Sequence, residues 1–346
     1  MKKLFLKIRK NKDEQSPSRI TSETVAEHRE RILAGGRRYK YPIQYARHKL
    51  VINTIAISVL ALTAIIAVGW WQLYKAQNTS EFIYRVTRVI PAPVASVDKH
   101  TVLYSDYLMK YISSVHYLKK IEQVSLKTDD GKRQVEYIKE KSLQDAIADS
   151  YASKQAKTIG LSVDNKELEL FIKEQRQSSD GELSEKTYYT VIMDYYGWSP
   201  SEWRYVMKQK LLRQKVAYEM DKEALKYANE IKKALDVNPT SDLKTLADSY
   251  ANQSNLEISF SSSGWVPKDN QDGGLALIAS KMGKNQISDF VKSTVGDGYY
   301  IIKLKDVNET KVNYDYIKIP LTVFDNALKK VEEAGKIERY ISIKKV

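Results

Sequence analysis

The chain has 346 residues, 56 of them basic and 43 acidic, for a formal charge of +13. Apolar content of 42% beside 29% charged residues is globular and not disordered, and the length allows about two domains. The absence of Cys excludes disulfides, thiolate metal sites and cysteine nucleophiles, and the four His (His28, His48, His100, His116) leave everything after residue 116 without imidazole.

The charge is uneven. Residues 1–49 carry 14 Lys/Arg against five Asp/Glu, a net +9, and the rest of the chain shares +4. From Leu50 to Tyr74 no charge occurs, and the run ends in Trp70, Trp71 and Tyr74. A helix of that length exceeds what a ~30 Å hydrocarbon core requires. Aromatic rings at one end and Arg47, His48 and Lys49 at the other match the headgroup belts of a spanning helix. The basic excess predicts a plasma-membrane protein with residues 1–49 as a cytosolic tail on anionic inner-leaflet lipid and 75–346 outside. A cleaved signal peptide is the weaker alternative, because its leading region is too long and no A-x-A site follows. The tail lacks the interleaved aromatics of a single-strand binder, so nucleic acid is not the expected partner.

Residues 75–93 read as a linker ending in Pro91-Ala92-Pro93. Alternation predicts short strands at 94–97 and 101–103 around Asp98-Lys99-His100. Ser105 is placed as the cap of a helix running to Ile121, followed by a polar loop at 125–133. A second helix spans about 134–158 with Gly160 at its end. Asp164 caps a third helix to Gln175, and 176–183 reads as a loop. Ser184 caps a helix ended by Gly197, and Ser199-Pro200 opens a long helix with no evident break before Leu235. Ser241 is expected to cap 242–250. The period then changes: strands are predicted at 256–260, 287–293, 299–305 and 312–320, with helices at 273–282, 324–333 and 335–340.

No phosphate-binding glycine loop or nucleophile elbow is present. Two His do not make a zinc site, and His116 reads as an ordinary structural residue. No catalytic residue, metal or cofactor is therefore assigned. The positive feature is aromatic: Tyr188, Tyr189, Tyr195, Tyr196, Trp198, Trp203 and Tyr205 crowd one stretch. They fit either core packing between two helices or a lining for extended, unfolded peptide.

Pro93–Asp98, Val102, Ser105-Asp106-Tyr107, Ala146–Val163 and Gly197–Met220 resemble, in order, the SurA/PrsA group of extracytoplasmic foldases. From Lys222 onward the chain resembles a parvulin-type peptidyl-prolyl isomerase: Leu243–Tyr250, Ser263-Gly264-Trp265-Val266, Gly283–Ser288 and Gly298–Leu304 carry the likeness. The family's two His are missing, with Tyr300 in place of the second, and no Phe occupies 267–281. The resemblance implies an α+β protein with one transmembrane helix (50–74), a SurA N-terminal-like helical domain (94–221) and a small parvulin-like, FKBP-like domain (222–320). It also implies a C-terminal segment (321–346) returning to the helical domain. The first strand of the isomerase fold is absent, and 312–320 is expected to dock antiparallel beside 299–305 in its stead. Peptide-binding candidates are Phe260, Trp265, Met282, Phe290 and Tyr300 in the smaller domain and Tyr188, Tyr195, Trp198 and Trp203 in the helical one. The function implied is an ATP-independent chaperone for unfolded secreted chains with weak or lost isomerase activity. An active isomerase and an envelope scaffold or signalling protein are the alternatives.

Overall fold

A computed structural model describes residues 21–40, 42–178 and 181–343; the first twenty residues of the basic tail lie outside it. The chain divides into two compact units after Leu73. In the first, helices α1 (Ser22–Lys40) and α2 (Pro42–Trp70) are followed by a π-helical turn, Trp71–Lys75. Within residues 48–75 an 18-residue stretch has a mean hydropathy of 2.5 and none of it is buried, so by length and composition this helix can cross a membrane. Two of its polar side chains are satisfied locally: the Thr54 and Thr63 hydroxyls donate to the carbonyls of Leu50 (2.8 Å) and Val59 (2.9 Å).

The second unit, from Tyr74, begins with α3 (Glu81–Val89), a helix inside the segment expected to be a linker. The hairpin β1 (Pro93–Val97) and β2 (His100–Leu103) follows. Both residues of its two-residue turn have positive φ, Asp98 at 45° and Lys99 at 68°. Lys154 holds the Asp98 carboxylate in an ion pair, which steadies the turn. Helix α4 (Tyr104–Lys120) starts two residues earlier than a Ser105 cap would set it, with Leu103 at the N-cap position and no side-chain cap. Helix α5 (Asp129–Ile159) begins inside the expected polar loop, because Thr128 accepts from the Gly131 N–H, and Gly160 ends it at φ 72°. Helix α6 (Asn165–Gln175) carries a full capping box on Asp164.

A two-residue hairpin, β3 (Gln177–Ser178) and β4 (Gly181–Glu182), replaces the expected loop. Helix α7 (Glu185–Tyr196) is capped by Ser184 and ended by Gly197 at φ 68°. Helix α8 (Pro200–Met220) opens on a second capping box, Ser199 with Glu202. The expected uninterrupted helix to Leu235 breaks at Asp221, which ends α8 and caps α9 (Lys222–Val237). Asp242, not Ser241, caps α10 (Leu243–Gln253).

The remaining elements are β5 (Ser259–Pro267), α11 (Leu275–Ala279), β6 (Val291–Lys292), β7 (Gly298–Val307), β8 (Lys311–Pro320), α12 (Val323–Glu333) and β9 (Ile337–Arg339). The larger sheet has the order β5-β8-β7-β6, all antiparallel. Residues 312–320 thus pair with 299–305 as expected, and β8 also takes β5 on its other edge. Residues 256–258 precede the strand, and 287–290 contribute only a bridge from Ile287 to Lys303. One face of the sheet packs Tyr299, Ile301, Ile317 and Ile319 against α9 and α10. The other packs Tyr300, Ile302, Leu304 and Tyr314 against α11.

The helix expected at 335–340 is instead β9, antiparallel to β1, with Val97 opposite Ile337 and Ala95 opposite Arg339. Gly335 at φ 66° turns the chain out of α12, and the open edge of β1 supplies backbone partners that an isolated helical turn would lack. Arg339 clamps both Glu140 oxygens (2.8 and 3.0 Å), and Phe324 packs on Tyr151 at 5.5 Å between ring centres.

The helical and α+β parts meet at Asp221, whose side chain is fully buried. It accepts hydrogen bonds from the N–H groups of Ala224 (3.0 Å), Thr322 (2.8 Å) and Val323 (3.2 Å). Replacing it by Ala strands three donors, two of them more than a hundred residues away in sequence. Asp221→Ala is therefore expected to cost about 3 kcal/mol, a fall in Tm of roughly 6–12 °C, read by near-UV circular dichroism of the full chain in detergent. An unchanged Tm would remove Asp221 from this role.

Candidate functional site

A cleft of about 620 Å³ lies over α4 and α5 and is closed at one end by the turn after α7. Lys110, Ser113, Ser114 and Tyr117 present one side of α4 at helical spacing, and Gln134, Tyr137 and Ile138 do the same on α5. Tyr196 and Trp198 complete the wall. Tyr137 is 64% exposed, a large ring held at the surface of an otherwise charged helix.

The turn that carries Tyr196 and Trp198 is fixed from three directions. Gly197 takes positive φ, and a Cβ there would come within 3.2 Å of His116 Nδ1. The His116 ring donates from Nε2 to the Asp194 carbonyl at 2.8 Å, and Lys120 pairs with the Asp194 carboxylate. Rings stack beneath: Tyr196 lies on Trp198 (5.1 Å, 21°) and on Trp203 (5.8 Å, 15°). Tyr195, exposed, tilts against Tyr117 of α4 at 6.4 Å. His116 is thus a structural clamp, and the aromatic stretch divides between core and surface. Tyr188 and Trp203 are core residues, 6.1 Å apart edge to face with Val163, Leu168 and Phe171 around them, and burial pushes the Tyr188 phenol up to about 12. They are taken up by packing and do not line a surface. Tyr195, Tyr196 and Trp198 face outward instead.

The base of this wall is held by Glu202, at the start of α8. It accepts from the Tyr84 hydroxyl (2.7 Å), from Ser199 N–H (2.9 Å) and from Arg88 (3.1 Å). Burial alone would raise its carboxyl, but the hydrogen bonds from Tyr84 and Ser199 and the nearby Arg88 outweigh that and hold it below the usual glutamate range.

The five candidates in the α+β part are divided by the sheet. Trp265 pairs in register with Asn313, whose neighbours Val312 and Tyr314 belong to the α11 face, so Trp265 lies on the opposite face, 48% exposed. Phe260 and Phe290 also pack on the α9 and α10 side. Phe290 borders a cleft of about 440 Å³ with Tyr218 and Tyr299. Only Met282 and Tyr300 share the α11 face. There a cleft of about 460 Å³ is lined by Ser262, Ser263, Asp272, Asp297, Tyr300, Tyr314 and Tyr316. Its polar groups bond to one another: Tyr314 donates to Asp272, Tyr300 donates to Asp297 (2.7 Å), and Lys318 reaches Asp297 (2.6 Å) while lying 5.7 Å from the Tyr300 ring centre. Burial, then the Asp297 partner, pushes the Tyr300 phenol up. Among the described residues no group of three or more His, Asp or Glu is placed to hold a metal ion.

A family model, the SurA-like N-terminal domain, matches residues 43–217, half of the chain, from the start of α2 to the last turn of α8. The chain belongs to this family. No curated protein matches the chain. A solved structure is similar at 14% identity over 71% of this chain and 91% of its own, with a TM-score of 0.25. It comes from work on the virulence factor PEB4 and the periplasmic protein Cj1289, described as two structurally related SurA-like chaperones of the human pathogen Campylobacter jejuni. The large cleft lies within the matched SurA-like domain, built from α4, α5 and the turn into α8.

Sequence reasoning missed Tyr117 and Tyr137. Their signal was an isolated large aromatic on the polar face of a helix, weak until the facing helix is known.

Because the Glu202 carboxyl is depressed, its stabilisation is complete above the ordinary glutamate pKa and is lost as pH falls through the depressed value. Glu202→Gln is expected to lower Tm at about pH 7 and to flatten the fall on acidification to about pH 3 relative to the parent. Parallel pH–Tm curves for the two proteins would contradict that assignment.

Proposed function

We propose that this protein is a membrane-tethered chaperone that holds extended segments of unfolded secreted polypeptides outside the cytoplasm, without ATP. The observation that carries the reading is the cleft of the SurA-like domain, with Tyr117, Tyr137, Tyr196 and Trp198 set around it on a braced frame. Aromatic faces bind many side chains with large contact area and little entropy loss, and Ser114 and Gln134 offer hydrogen bonds to a peptide backbone, which is the same in every client. The uncharged helix ending in Trp70 and Trp71, with the basic excess before it, supports a single span with the N-terminus cytosolic.

The α+β part reads as a parvulin-like fold in permuted order: β8 lies between β5 and β7, the place left by the absent first strand. Rotation about a prolyl bond faces a barrier of ~18–20 kcal/mol, lowered by a dry pocket that fits the twisted amide. The cleft here offers paired phenols and carboxylates, and no His occurs after residue 116. Isomerase activity is accordingly lost or vestigial, and client holding is the activity that remains.

The full chain in nanodiscs should suppress aggregation of a chemically unfolded protein at a few-fold molar excess; failure to do so sinks the chaperone reading. Tyr117→Ala with Tyr137→Ala, at ring positions that the fold leaves open, should weaken binding of a fluorescent unfolded polypeptide about 30-fold, each ring contributing about 1 kcal/mol. In a protease-coupled assay with a prolyl peptide, the rate should equal that of the uncatalysed control. A saturable acceleration would establish the isomerase alternative.

A further inference from the structure

Helix α3 has two different apolar sides. Ile83, Tyr84 and Thr87 are buried, and the Tyr84 hydroxyl and Arg88 anchor the helix to Glu202. One face of α3 is thus fixed in the fold. On the other, Phe82, Val86 and Val89 recur at the spacing of one helical stripe, with Phe82 72% and Val89 81% exposed. A docked helix with a second, uncovered stripe of large apolar side chains is the pattern of an element that meets another apolar phase.

The chain itself indicates which phase. Residues 76–80 separate the end of the apolar helix at Lys75 from Glu81, a span of at most roughly 20 Å when extended. Within the second unit, the Tyr74 hydroxyl donates to the Pro93 carbonyl at 2.8 Å, closing residues 74–93 into a loop that contains α3. The stripe therefore stays within reach of whatever layer surrounds Trp70, Trp71 and Tyr74. Arg85 borders the stripe in an exposed i,i+4 pair with Glu81 (2.5 Å), a contact of small worth that a lipid phosphate can replace.

We infer that the Phe82, Val86 and Val89 stripe of α3 lies in the headgroup–acyl boundary of the bilayer that α2 crosses, with Arg85 at the phosphates, so that the second unit is held at the membrane surface by a second attachment. This rests on the spanning reading of α2, and the test separates the two. The chain has no Cys, so single-cysteine variants can carry a spin label in the full protein, reconstituted in phosphatidylcholine–phosphatidylglycerol vesicles. Leu60→Cys reports on the span, Phe82→Cys and Val86→Cys on the stripe, and Tyr137→Cys on a water-facing surface.

The ratio of collisions with lipid-soluble oxygen to collisions with a water-soluble nickel chelate should be several-fold higher at 60, 82 and 86 than at 137. A high ratio at 60 with water-like values at 82 and 86 overturns the placement of α3 and leaves the span standing. Labels at 82 and 86 shielded from both reagents would mean that protein covers the stripe, which overturns the placement as well. A water-like value at 60 overturns the span and, with it, the basis of the inference.

Discussion

A single buried carboxylate joins the two halves of the second unit. Asp221 ends α8 through its own backbone N–H, and its carboxylate caps α9 and receives the first N–H groups of α12, so two helix N-termini share one acceptor. Helix termini carry unsatisfied donors, and a buried carboxylate without donors is costly, so each makes the other tolerable. The same junction is reinforced by Gln214, which donates to the Thr294 carbonyl at 2.7 Å, and by Tyr218, which donates to the Gly298 carbonyl at 2.7 Å. Gly296 lies so close to Gln214 that an added Cβ would come within 2.4 Å of its side chain. This is why the chain from Tyr74 onward behaves as one compact unit and not as a helical domain strung to an α+β domain.

Both sheets of consequence are completed late in the chain. Strand β8 occupies the interior of the larger sheet, and β9 closes the edge of the first hairpin, with more than two hundred residues between β1 and β9. The α+β half cannot bury its core until β8 arrives, since β8 contributes to both faces of its sheet. The cleft benefits from this closure: Arg339 on β9 clamps Glu140 on α5, the helix that presents Tyr137 and Ile138. The side chains that line the cleft thus stand on elements braced by the whole unit.

Features set by neighbouring residues were legible in the sequence. Asp164, Ser184 and Ser199 cap where they were placed, and Gly160 and Gly197 end their helices, because capping needs only three or four residues of context. The pairing of 299–305 with 312–320 was legible for the same reason, being a hairpin across a short turn. Less visible were the break at Asp221, whose partners include residues 322 and 323, and the strand at 337–339, whose partner is β1. Residues 335–340 have no local preference strong enough to resist an open strand edge.

The sequence by itself determined the uncharged helix, the charge step at its N-terminal side, the missing imidazoles and the order of family-like segments. Those properties belong to composition and short-range pattern, and no packing can alter them. Only the tertiary structure decided which aromatics are buried and which line the cleft. Tyr188 and Trp203 are as suitable chemically as Tyr196 and Trp198, yet the first pair faces α6 and is consumed by the core, while the second faces the gap between α4 and α5. It likewise divided Phe260 and Phe290 from Tyr300 and Met282 across the sheet. Burial is a property of what lies opposite a side chain, and that is supplied by residues far away in the chain.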